Sequence, residues 1–185
     1  MYTGSIAKRY ATALADFAAA QGEERVVFDE ARCLALYMAQ VRQLRETVLA
    51  PTIAVEHKLS LMTQCVTGAM SQSMERFVRL VFAHRRERYL EFMLHSLVRI
   101  FKERHAIVDV ELTTAQPLDE PIKERIAELA KQLTGSSEVE LNCRVDEELI
   151  GGFRLRMDDR LVDSSIRTQL ETLRRELVGN NKRIL

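Results

Sequence analysis

The residues of this chain with the most obvious chemical potential lie close together near its end, in "LIGGFRLRMDDRLVDSSIRTQL", Leu149 to Leu170. Asp158, Asp159 and Asp163 could ligate a hard cation or act as acid and base, and Ser164 and Ser165 could act as nucleophiles. The spacing supports neither chemistry. A calcium loop needs a run of alternating oxygen ligands closed by a glutamate, and the run is missing. The serines have no histidine near them in sequence and no nucleophile-elbow motif around them. Aspartates beside an apolar alternation are ordinary turn and helix-start residues. Ser164 is the expected cap of a final helix, with Asp163 facing its positive end. Gly151 and Gly152 are too short a glycine element to cradle phosphates and instead suit a close backbone approach.

The rest of the chain adds no catalytic motif. His57, His84, His95 and His105 show no zinc spacing. No phosphate-binding loop or dinucleotide fingerprint is present. The expectation is no catalytic residue, no metal and no cofactor. Cys33, Cys65 and Cys143 are dispersed in apolar patterns and read as buried free thiols of a reducing compartment.

The elements that carry these residues follow from periodicity. The chain has 185 residues, of which 46% are hydrophobic and 29% charged. That suits one large or two small folded domains. Basic and acidic residues balance at 27 each, which argues against a general nucleic-acid binder. The balance is uneven along the chain, with residues up to His105 mildly basic and the remainder mildly acidic. No apolar run is long enough to span a bilayer, and the N-terminus lacks a signal-peptide core.

Residues 1–105 repeat helical spacing. Ile6, Tyr10, Ala13, Leu14 and Phe17 form one helix face that Ser5 is placed to cap and Gly22 to end. Val27, Leu34, Val41 and Val48, with Tyr37 and Leu44, predict one long helix over Glu23–Leu49, stopped by Pro51. Leu59, Met62 and Val66 mark a helix over Val55–Thr67. Met74, Phe77, Val78, Val81 and Phe82 mark another, with Leu80 beside them, and Leu90, Met93, Leu94, Leu97 and Phe101 a further one. The basic run "HRRER", His84 to Arg88, reads as a solvated turn between these last two.

The period changes to two after His105. Val108, Val110 and Leu112 predict a half-buried strand. Asp119 and Pro121 open a helix whose buried face is Ile122, Ile126, Leu129 and Leu133, and Gly135 closes it. Strands follow through Val139, Leu141, Cys143 and Val145, and through Phe153, Leu155 and Met157. A turn at Asp158–Asp159 leads to a short strand near Leu161, then a helix carrying Ile166, Leu170, Leu173 and Leu177. The fold class is mainly α: an antiparallel bundle of five or six helices over 1–105, then a small α+β domain over 106–185.

Two segments resemble a known family. "SIAKRYATALADFA", Ser5 to Ala18, is similar to the opening helix of the delta subunit of bacterial and chloroplast F-type ATP synthases, related to the mitochondrial oligomycin-sensitivity-conferring protein. "LIGGFRLRMDDRLVDSSIRTQLETLRREL", Leu149 to Leu177, resembles the family's C-terminal signature, for which Gly151, Gly152, Asp163 and Ser165 are the structural marks. This chain departs from the family in having Ser164 where Gly or Ala is common. It also has a charged turn before the segment in which Arg88 matches the family arginine.

The resemblance implies a non-catalytic stator subunit, peripheral to the cytoplasmic face of a bacterial membrane and held there through its partners. It implies that the first domain binds an N-terminal helix of the alpha subunit in a groove between the first and fifth helices. Tyr10, Ala13 and Leu14 would face that helix with Val78, Leu80 and Val81. It implies that the second domain holds the C-terminal end of the b-subunit stalk. Two rival readings stand beside it: a generic helical adaptor in another complex, and an enzyme using Asp158, Asp159, Asp163 and Ser165.

Overall fold

A computed structural model describes residues 3–66, 68–157, 160–170 and 173–174. The chain forms two compact units, Met1–Arg104 and His105–Leu185.

The first unit is a helix bundle: α1 (Thr3–Gln21), α2 (Glu24–Gln40), α3 (Arg42–Leu49), α4 (Val55–Gln64), α5 (Gln72–Ala83) and α6 (Leu90–Arg104). The α1 helix ends at Gly22, whose φ of 71° is left-handed and therefore favours glycine. It begins at Thr3, so Ser5 lies inside the first turns instead of capping them. The long helix expected over Glu23–Leu49 is broken. Val41 takes an extended conformation (φ −103°, ψ 93°) between α2 and α3, and its side chain turns outward. Val27, Leu34, Leu44 and Val48 still reach the core. A single extended residue redirects the chain without disturbing the apolar repeat on either side. The α4 helix ends at Gln64, short of the expected Thr67, which lies outside the described residues.

The core face of α1 is mostly alanine, with Leu14 beside it. Ala7, Ala11, Ala15 and Ala18 are buried, at positions i, i+4, i+8 and i+11, and α1 packs against α6. Small residues bring two helix axes close and leave little room for anything larger. Stacking of Phe28 on Phe101, with ring centroids 4.2 Å apart, adds aromatic packing. The α5 helix is held at its start. Ser71 caps it by accepting from the Met74 N–H. The buried Glu30 carboxylate accepts from the Ser71 hydroxyl at 2.6 Å and from its N–H. Glu23 likewise accepts from the N–H and hydroxyl of Ser73. Both carboxylates lie at the positive end of the α5 dipole.

The second unit contains β1 (Ile107–Thr114), α7 (Glu120–Thr134), β2 (Glu138–Val145), β3 (Phe153–Met157) and β4 (Arg160–Asp163). The sheet order is β2-β1-β3-β4, with β1 and β2 parallel through the α7 crossover and the other pairs antiparallel. Val110, Leu112, Leu155 and Met157 bury one sheet face against Ala130 of α7. Here the expected helix face is corrected. Ile122, Leu129 and Leu133 are exposed, Ile126 is half-buried, and Ala130 makes the buried contact. As in α1, the helix seats mainly through alanine and most of its larger residues lie outside.

Asp119 opens α7 through its main-chain carbonyl, which accepts from Ile122 and Lys123, and without a side-chain cap. Along the edge strand β2 burial fades, leaving Cys143 and Val145 exposed. Phe153 is partly exposed at the start of β3. Cys33 and Cys65 are half-buried, so none of the three thiols is fully buried as expected.

Candidate partner groove

The larger residues of α1 line an open apolar groove. Ile6, Tyr10, Ala13, Leu14 and Phe17 form one wall, and Phe77 and Leu80 of α5 form the other. The cavity has a volume of about 670 Å³. On α1 the lining positions follow i, i+4, i+7, i+8 and i+11. On α5, Ser73, Arg76, Phe77 and Leu80 follow i, i+3, i+4 and i+7. Each helix therefore offers a stripe to the groove, and the inner members of those stripes, Leu14 and Phe77, are buried and also belong to the core. The two walls run antiparallel. Ser73, near the start of α5, bonds Glu23 just beyond the end of α1. Arg86, beyond the end of α5, reaches back to Tyr10.

Four of the six residues expected to face a partner helix lie here: Tyr10, Ala13, Leu14 and Leu80. Val78 and Val81 do not. They are fully buried on the core side of α5. The spacing of 78 and 81 places both on the face opposite Leu80, which is 47% exposed. The groove also uses Ile6, Phe17 and Phe77, already visible as members of apolar stripes, and Arg9, Arg76 and Arg86, which periodicity alone does not single out.

Tyr10 is held on two sides. Its ring meets Phe77 edge-on at 6.4 Å, and the Arg86 guanidinium lies 5.2 Å from its centroid. Arg86 also donates to the Tyr10 hydroxyl at 2.6 Å. The "HRRER" turn is therefore only partly a solvated run. Arg85 and Arg88 are exposed, Arg86 turns in to the groove, and Glu87 approaches the buried Lys58 amine at 3.9 Å. Arg85 takes a left-handed φ of 52° as the chain reverses.

The signature stretch of the second unit builds a joint. Gly152 has φ 80°, and a β-carbon there would lie 2.3 Å from the Ser164 carbonyl oxygen. A β-carbon at Gly151 would meet the Ile166 side chain at 2.6 Å. The paired glycines thus let the chain pass directly against the start of the helical segment 166–170. Main-chain bonds seal the contact: Ser164 N–H donates to Phe153 and Ile166 N–H to Gly151.

Asp163 and Ser165 are occupied in the same joint. The Asp163 carboxylate accepts from the Ser165 N–H (3.0 Å), Arg154 Nε (3.2 Å) and the Thr168 hydroxyl (3.1 Å). The Ser165 N–H first, then its hydroxyl and the Arg154 and Thr168 donors, hold the Asp163 pKa down to about 2. Ser165 is fully buried, and its hydroxyl accepts from the Thr168 N–H. Ser165, not Ser164, is therefore the helix cap. Asp158 and Asp159 lie outside the described residues.

The described residues thus form a helix bundle that bears an open, helix-lined groove, and a small α+β unit. The comparisons with known proteins specify the family. The profile of the family described as "ATP synthase delta (OSCP) subunit" matches residues 6–177, and the chain belongs to this family. It is 32% identical over 186 residues to the ATP synthase subunit delta of Phocaeicola vulgatus, covering all of both chains. It is 30% identical to that of Desulforudis audaxviator over 94% of this chain and 95% of the relative. A chain of the Toxoplasma gondii mitochondrial ATP synthase shares the fold, with a TM-score of 0.60 at 18% identity, covering 93% of this chain and 97% of that one. The protein is a non-catalytic, peripheral-stalk component of an ATP synthase. No helix among its described residues is long and apolar enough to cross a membrane.

Proposed function

We propose that this subunit is a stator link whose first unit seats the N-terminal helix of an alpha subunit in the α1–α5 groove, while its second unit holds the C-terminal end of the b-subunit stalk. On this reading it resists rotor torque during proton-driven ATP synthesis and works on the cytoplasmic face of the membrane, attached through its partners. The observation that carries the reading is the groove. Its apolar stripe spans twelve residues of α1, from Ile6 to Phe17, or about three helical turns, which matches recognition of an amphipathic helix through anchors every three or four residues. The exposed Ile122, Leu129 and Leu133 of α7 support a second contact surface for the stalk.

Ala13 is exposed on the groove wall, so Ala13→Asp should leave the fold intact and place a charge against the partner. The chain has no tryptophan, so a Trp-labelled alpha N-terminal peptide reports binding without background. The expected result is at least a tenfold loss of affinity, about 1.4 kcal/mol, at an unchanged melting temperature. Equal affinity for the variant would remove the groove from the binding site.

A further inference from the structure

The walls of the groove carry charge of a single sign. Arg9 stands on α1, Arg76 on α5, and Arg86 just beyond the end of α5, and no carboxylate is among the lining residues. Elsewhere many guanidinium groups are neutralised, Arg42 by Glu46, Arg79 by Glu75, Arg104 by Asp16 and Arg154 by Asp163. Among the described residues, Arg9, Arg76 and Arg86 have no carboxylate partner. Arg85, Arg88, Arg125 and Arg156 also lack a carboxylate partner among the described residues, so what sets the groove apart is three such arginines around one apolar channel. Arg86 instead spends one donor on a neutral phenol, the Tyr10 hydroxyl, and keeps further donors. Three unneutralised arginines around an apolar channel form an unfavourable field that an anion would relieve.

We propose that the groove selects its occupant by charge as well as by apolar fit, and that the occupant is an amphipathic protein helix with carboxylates flanking its apolar edge. The proposal rests on the groove being the docking site and adds what that site reads. Arg9 and Arg76, on opposite walls, straddle the seated helix, so acidic residues on both flanks of its apolar stripe meet a guanidinium. Arginine suits this role because its planar fork can engage a carboxylate with two parallel hydrogen bonds. Arg86 supplies a third contact and, through Tyr10, ties the charged rim to the apolar floor. The concave form of the site favours a helix over a flat anionic membrane, which would meet a convex apolar surface.

The test uses the full chain and two probes. One is a synthetic peptide of roughly the first 20 residues of the alpha subunit from the same organism, long enough to span the groove with flanking turns. The other is the same peptide with every Asp and Glu replaced by Asn and Gln. Calorimetric titration at low and high salt is expected to show the native peptide binding about three- to tenfold more tightly than the amide copy, with the difference shrinking as salt rises. The Arg9→Gln/Arg76→Gln double variant removes two exposed charges and should bind both peptides alike, near the affinity of wild type for the amide copy. Its melting temperature reports that it is folded. Equal binding of the two peptides by wild type, with no salt dependence, would overturn the charge selection while leaving the groove as the docking site. Absence of binding by either peptide would overturn both. Displacement of the native peptide by phosphatidylglycerol vesicles, through the same arginines, would overturn the protein-helix assignment in favour of an anionic lipid surface.

Discussion

The Arg86 guanidinium donates to the Tyr10 hydroxyl at 2.6 Å while lying 5.2 Å from the centre of the Tyr10 ring. One cation thus fixes both the tip and the face of a groove residue. Tyr10→Phe removes the hydrogen bond and leaves the ring, so stability should fall by roughly 1 kcal/mol. Urea unfolding measures this. A loss of zero would mean that the ring contact alone positions Arg86.

The two faces of α1 should respond in opposite ways to added volume. Ala11→Leu forces three heavy atoms into the buried contact with α6 and should cost about 1–3 kcal/mol. Ala13→Leu, on the exposed groove wall, should change stability by less than about 0.5 kcal/mol. Comparing the two melting temperatures checks the assignment of faces, and equal losses would contradict it.

Gly152→Ala should destabilise the second unit by at least about 2 kcal/mol, because the position combines a left-handed φ with a steric collision against the Ser164 main chain. Hydrogen exchange of the Ser164 and Ile166 amides reads the effect locally. Gly135→Ala is a useful control. That position has a similar φ and nothing within 4 Å of an added β-carbon, so its loss should be smaller.

Asp163 gives the second unit an acid-sensitive contribution. Its folded pKa, about 2, lies below the ordinary value of 3.8. The unfolded chain therefore takes up its proton first as pH falls. The stabilisation is present above about pH 4 and is lost as pH drops toward 2. Asp163→Asn should be less stable than wild type at pH 7, and the gap should close across that window in chemical denaturation. A gap independent of pH would argue against the carboxylate as its source.

Glu30 has the opposite sign. Burial pushes its pKa up, outweighing the Ser71 hydrogen bonds that pull it down, and the charge of Glu23 pushes it up further. The folded state then holds the proton more tightly than the unfolded one. This contribution favours folding fully below the ordinary carboxylate pKa and is lost as pH rises through the elevated value. The stability of wild type relative to Glu30→Gln should therefore increase as pH falls from 7 toward 4.5, as read from denaturation midpoints. A relative stability that falls over this range would contradict burial as the dominant influence.

Much of this architecture is legible in the sequence. The change of period after His105, the apolar rows of α5 and α6 and the β1–α7–β2 order all follow from spacing. What spacing misses on α1 and α7 has one physical cause. In α1 the stripe of Ile6, Tyr10, Ala13, Leu14 and Phe17 is legible from spacing, but the alanines Ala7, Ala11, Ala15 and Ala18, which the bundle buries together with Leu14, are not singled out by it. In α7, Leu129 and Leu133 suggest the buried stripe, yet Ala130 sits on the sheet. Where two elements approach closely, the contact selects small side chains, and a reading weighted by hydrophobic size picks the neighbouring face. Val78 and Val81 fail as groove residues because a run of apolar residues on α5 serves both sides of the helix. Arg86 is hidden for another reason: its role depends on a chain reversal at Arg85 that no periodicity encodes. The break at Val41 is equally invisible, since the heptad pattern continues across it.

The fastening of α5 at both ends has a mechanical consequence. Glu23 and Glu30 tie its start to the α2 segment, and Arg86, just beyond its end, ties back to α1 through Tyr10. The α5 wall of the groove is thus fastened to neighbouring helices at both ends. A helix lying along such a channel and pulled lengthwise is loaded in shear, so its anchors must fail together; a hinged wall would let them peel apart one at a time. On the proposed reading of the groove as a helix-docking site, this fastening stiffens the channel along the direction of pull without requiring the seated helix to be bound tightly at any single point.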